Sequence, residues 1–72
     1  MMGNAFRRFL FYRRVIVNMK DDRTAFEGVF WRQSGPLLVL KDSYMLRRGE
    51  DPIPMDGELV IERDQVAFIQ AP

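Results

Sequence analysis

The sequence predicts a mainly β fold, a short N-terminal helix followed by a strongly bent five-stranded antiparallel barrel. Three observations predict it. β-branched and aromatic runs alternate with Gly, Pro and Asp turn signals. A glycine stands inside one of those runs, at Gly28, where it marks a sharp bend or a close backbone approach. The chain has 72 residues, so one domain spanning 1–72 is expected, with the helix over about 4–12 and the barrel over about 14–70.

Taken in order, Asn4 is a suitable N-cap for "AFRRFLFY", which sets Phe6, Phe9 and Leu10 on one helical face. Phe9, Phe11 and Val15 also alternate as a strand would, so residues 9–13 are open to either assignment. "RRVIVNM" reads as the first strand, with Val15, Val17 and Met19 on one side. "KDDR" is a turn by composition. "TAFEGVFWRQ" is the second strand, with Ala25, Val29 and Trp31 on one face and Phe26, Gly28 and Phe30 around the other. "SGP" ends it. "LLVL" then opens a third strand without polar alternation, a pattern suited to burial on both sides; Ser43 to Arg47 can prolong it. Gly49 to Gly57 reads as a loop, and "ELVI" and "QVAFI" close the chain as strands four and five.

Composition narrows the chemistry. Cysteine and histidine are both absent, so no disulfide, histidine–cysteine metal site, thiol nucleophile or imidazole base is available. No catalytic residue, metal site or cofactor is predicted, and the chain is not expected to be an enzyme. Domains this small rarely bury enough apolar surface alone; without staples, self-association is the expected remedy. Net charge is only +1 but unevenly spread. Residues 1–49 hold ten Lys/Arg against four Asp/Glu, while residues 50–72 hold Arg63 against six acids. The basic part suits phosphate, and the opposed signs also suit contact between neighbouring subunits. No apolar stretch is long enough to span a bilayer, and charges interrupt the apolar opening, unlike a secretory signal. A cytoplasmic protein with no membrane partner is expected.

Three stretches carry a family resemblance. "VIVNMKDDRTAFEGVF" resembles the opening strand pair of Sm-like (LSm) proteins, with Phe26-Glu27-Gly28 as the aromatic-x-Gly. "LLVLKDS" resembles their third strand, ending in Asp42-Ser43, and "LVIERDQVAFI" the last two strands around the second Sm motif. The resemblance spans Arg14 to Ile69 and implies the Sm-like fold, an SH3-like barrel. It also implies assembly into a homo-oligomeric ring, in which the fifth strand of one subunit pairs with the fourth of the next. The interface would then be built from Leu59, Val60, Ile61, Val66, Phe68 and Ile69.

The resemblance further implies a site for single-stranded RNA, and here the residues depart from the pattern. The family's second-to-third-strand loop offers an acidic or imidazole residue and then an Asn. Gln33 or Ser34 falls near the first position and Leu37 at the second, in a loop about one residue shorter. The second motif offers Arg-Gly, whose Arg stacks on a base; Glu62 takes the Arg position and Arg63 the Gly position. The residues left for RNA are Arg32, Gln33, Ser34 and Arg63, with Arg7, Arg8, Arg13 and Arg14 as a basic collar. Arg63 is equally suited to a salt bridge with Glu62, Asp64 or a neighbour's acid. Trp31 and Tyr44 suit base stacking if exposed, or packing in the barrel or interface. Three readings follow: an RNA-binding ring, a structural or adaptor ring of phage type that holds protein partners, and a monomeric SH3-like barrel that grips a peptide.

Overall fold

The computed structural model describes residues 10–72. Its strands are β1 (Arg14–Met19), β2 (Thr24–Ser34), β3 (Leu37–Arg47), β4 (Ile53–Met55), β5 (Leu59–Glu62) and β6 (Val66–Gln70). All pair antiparallel, in the order β4-β3-β2-β1-β6, with β5 also on β3. The expected fourth strand, "ELVI", is present as β5, and β4 is an additional short strand before it. β4 pairs with Ser43–Met45, and β5 pairs with Leu37–Leu40. Gly49–Gly57 is therefore not loop throughout: Ile53–Met55 is a strand. Pro54 weakens the strand signal there, since proline cannot donate to a ladder, yet an edge strand tolerates it. Gly57 at φ +70° then breaks the strand before β5.

The helix expected over residues 4–12 falls mostly on residues 1–9, outside the described residues. Leu10 is helical and the chain turns at Phe11–Tyr12. Arg13 N–H donates to the Leu10 carbonyl at 3.1 Å. Tyr12 N–H donates to the Phe30 carbonyl at 2.7 Å, and Phe30 N–H to the Arg13 carbonyl at 2.9 Å. Residues 12 and 13 thus bond to β2 instead of continuing a helix.

The bend is made where β2 crosses β3. A Cβ on Gly28 would lie 2.9 Å from Ser43 Cβ and 3.0 Å from the Lys41 carbonyl oxygen. Only glycine permits that approach. Opposite Gly28 the register slips, because Glu27 pairs with Tyr44 but Val29 with Lys41. The extra residue in β3 is accommodated with Asp42 at φ +50°. A second slip, between Phe30 and Arg32, leaves Trp31 as the extra residue of β2. Bulges of this kind bend a strand and raise its twist.

Inside the curl lie Leu10, Val15, Val17, Phe30, Leu38, Leu40 and Ile61, with Met19, Phe26, Leu59, Val66 and Ile69 packed against them. Leu38, Val39 and Leu40 are all buried, so "LLVL" is covered on both faces as its composition predicts. The hydrogen-bonded sheet does not close on itself. β6 pairs with β1 and β5 with β3, but β5 and β6 do not pair with each other. A single 3-10 turn, Arg63–Gln65, crosses the gap. Arg63 N–H donates to the Pro36 carbonyl at 2.7 Å and Lys20 N–H to the Gln65 carbonyl at 2.9 Å.

The β1–β2 turn is locked by Asp21. One carboxylate oxygen accepts the N–H groups of Arg23 and Thr24, each at 2.9 Å, and the other accepts the Thr24 hydroxyl at 2.9 Å. The backbone N–H groups of Arg23 and Thr24, then that hydroxyl, hold the carboxyl below its ordinary pKa.

Gly28→Ala is expected to destabilise the fold by about 1–3 kcal/mol through overpacking, read as a lower urea midpoint. A depressed carboxyl pKa contributes stability that is present above the unfolded value of about 4 and lost as pH falls through the folded value. Asp21→Ala should therefore lower the melting temperature at neutral pH, and the gap to the parent should shrink below about pH 4.

Candidate nucleic-acid interface

The bend brings together two turns that are distant in sequence. The β2–β3 turn, with Gly35 at φ +55°, lies against the 3-10 turn through the Arg63–Pro36 bond. Gln33 at the end of β2 and Arg63 in the 3-10 turn line one cleft of about 380 Å³, walled by Phe30, Leu38, Val66 and Phe68. Arg63 also borders a shallower depression with Pro36, Leu37, Glu62 and Asp64.

Of the residues proposed from sequence, the fold unites Gln33 and Arg63 and separates the others. Gln33 Nε2 donates to the Gly35 carbonyl at 3.2 Å, which leaves its amide oxygen available in the cleft. Ser34 is exposed at the strand end and does not line the cleft. Arg32 turns instead to Glu58, 3.6 Å away. Leu37, at the position where the resemblance places Asn, pairs with Glu62 across the β3–β5 ladder. Arg7 and Arg8 lie outside the described residues. Arg63 is exposed and makes no ion pair with Glu62 or Asp64 among the described residues. Its guanidinium plane is suited to stacking on a base, and the Gln33 amide to a base edge. Glu62 and Asp64 flank it with two negative charges, so this spot suits a base better than a phosphate.

The residues expected at an interface sit on the two free edges. Val60 on β5 is 53% exposed and Phe68 on β6 is 58% exposed. Leu59, Val66 and Ile69 are half-buried against the core, and the Ile61 side chain is buried within it. Trp31 and Tyr44, at 37% and 39% exposed, are outside the core. Tyr12, not singled out from sequence, is 72% exposed. Nothing in the local pattern marked it, because its exposure comes from the turn that ends at Arg13. Among the described residues, no group of three or more Asp or Glu is placed to hold a metal ion, and no helix is long and apolar enough to cross a membrane.

Comparison with solved structures agrees with this architecture over nearly the whole chain. A Pyrococcus abyssii Sm protein in complex with a uridine heptamer superposes with a TM-score of 0.81 at 24% identity, covering 96% of each chain. The P. aerophilum SmAP1 heptamer gives a TM-score of 0.84 at 19% identity, covering 100% of this chain and 95% of that one. An Sm-like protein from Archaeoglobus fulgidus gives 0.78 at 20% identity, covering 100% and 96%. No family model matches the sequence, and no curated protein matches it either. The chain has an Sm-like fold.

Proposed function

We propose that this chain assembles head-to-tail into a closed homo-oligomeric ring and binds single-stranded RNA without catalysing a reaction. The carrying observation is the pair of unpaired sheet edges, β5 and β6, each bearing an exposed apolar side chain, Val60 and Phe68. Open edges are pairing templates and a hazard to a lone monomer. Two different edges on one subunit make a heterologous contact, which forms a ring when the rotation closes. Support for RNA comes from the cleft that Gln33 and Arg63 share, on a fold like that of a protein bound to a uridine heptamer. Arg32 and Ser34 stand outside the cleft and would contribute only to RNA passing beyond it, and Arg7 and Arg8 add positive charge from the N-terminal segment. A cytoplasmic location suits this role.

A second reading has its own observation. Glu62 and Leu37 occupy the positions where the resemblance places the stacking Arg and the Asn, as befits a structural or adaptor ring that holds protein partners. RNA titration separates the two.

Light scattering at micromolar concentration is expected to give a mass several times 8.5 kDa. Phe68→Asp should shift it toward the monomer, since losing a central interface anchor typically costs about 2 kcal/mol or more. A monodisperse parent monomer would instead support the peptide-gripping barrel. For RNA, short oligouridylate should bind the ring with an affinity that falls as salt rises. Arg63→Ala should weaken it by roughly fivefold or more, the effect of losing one stacking contact. An intact ring that binds no RNA at low salt would favour the adaptor reading.

A further inference from the structure

An aromatic and cationic row crosses the outer surface of the sheet away from the Gln33–Arg63 cleft. Tyr12 leads into β1, Trp31 is the bulged residue of β2, and Lys41 lies on β3. The Tyr12 and Trp31 rings meet edge to face, with centroids 5.4 Å apart. The Lys41 ammonium sits 3.8 Å from the centre of the Trp31 ring. None of the three serves the core, and none lines the cleft.

Two features set this row apart from ordinary surface packing. First, Tyr12 is held at φ +65°, a left-handed conformation that aromatic residues rarely adopt and that glycine or asparagine would occupy with less strain. The Tyr12 N–H bond to the Phe30 carbonyl keeps it there, and the result is a ring 72% exposed. Strain that presents an exposed side chain, with no gain in burial, is the kind that functional sites retain. Second, Trp31 is the extra residue of a bulge and, following the buried Phe30, stands on the solvent side of β2, so a large aromatic is kept at an irregular and exposed position of the strand. One cation, Lys41, borders the rings, whereas the guanidinium of Arg14 is held by Glu27 at 4.0 Å and the Asp42 carbonyl at 3.4 Å.

We propose that Tyr12, Trp31 and Lys41 form a second contact for single-stranded RNA, in which a base stacks on the exposed aromatic rings and Lys41 swings from Trp31 to the adjoining phosphate. Rings interleaved with cations are the pattern that tracks a flexible polyanion, because every base has a π-face and every phosphate a charge. A surface cation–π pair is weak enough to be exchanged for a phosphate. This inference rests on the RNA reading above but uses none of the cleft residues, so the two can fail separately.

Trp31 is the only tryptophan, so its emission reports this site alone. Titrating the full chain with short oligouridylate and oligoadenylate, with total binding followed in parallel by anisotropy of labelled strands, should quench Trp31 emission saturably. Tyr12→Gly removes the ring yet accepts the positive φ, and it should weaken binding roughly fivefold or more. Tyr12→Phe should retain most of the affinity, and Lys41→Gln should lower it and flatten its salt dependence. Quenching that survives Arg63→Ala unchanged, with affinity also unchanged, would remove the cleft and leave this site. RNA binding without any change in Trp31 emission, or with full affinity in a folded Tyr12→Gly ring, would overturn the proposal. Quenching by an acidic peptide but not by RNA would overturn it too and assign the row to a protein partner.

Discussion

The close approach of β2 and β3 at Gly28 is the constraint on which the rest of the structure depends. With no side chain there, Ser43 and the Lys41 carbonyl can come within contact of the β2 backbone. Two strands of eleven residues each can then curl far enough to enclose Phe30, Leu38 and Leu40 without a second layer. The same curl carries the β2–β3 turn round to the 3-10 turn. It also leaves β5, which shares β3 with β4, and β6 as free edges of the sheet. Core, cleft and edges are three results of one missing methyl group.

How much of this was legible in the sequence follows from which signals are local. Gly28 marked the curl, the unbroken apolar "LLVL" marked burial on both faces, and Val15, Val17 and Met19 marked the inward side of β1. Those features depend on residue type and period alone. β4 reads as loop in the sequence because Pro52 and Pro54 suppress the strand signal, and only its edge position makes Pro54 harmless. Arg32 was grouped with Gln33 and Ser34 by adjacency. Alternation along the strand and the slip at Trp31 instead send it toward Glu58, an acid 26 residues away by sequence number. Tyr12 went unnoticed because a positive φ in a tyrosine has no sequence signature.

In the RNA site proposed for the cleft, a divergent motif would alter the chemistry without changing the place. Arg63 is displaced by one position from where the resemblance puts the stacking arginine, and Glu62 fills that position. On a 3-10 turn successive residues point about a third of a rotation apart. A one-residue shift therefore re-aims the guanidinium, and it does so beside two carboxylates. Affinity at such a spot would rest on base faces and edges more than on phosphate, which trades strength for selectivity among bases. The outer row proposed as a second contact is of the opposite kind, with two rings and one ammonium group that would suit any strand.

The pairing of β1 with β6 has a consequence for how the chain folds. Asn18 and Gln70 meet across that ladder at 2.9 Å although 52 residues separate them. Val15 and Val17, the centre of the core, lie on the strand that β6 must cover. Until the far end of the domain has been made, β2 is the only strand that pairs with β1. Such high contact order slows folding and keeps β1 an open, strongly apolar edge during synthesis. The strand that becomes the best-buried part of the molecule is therefore the one most in need of protection on the way there.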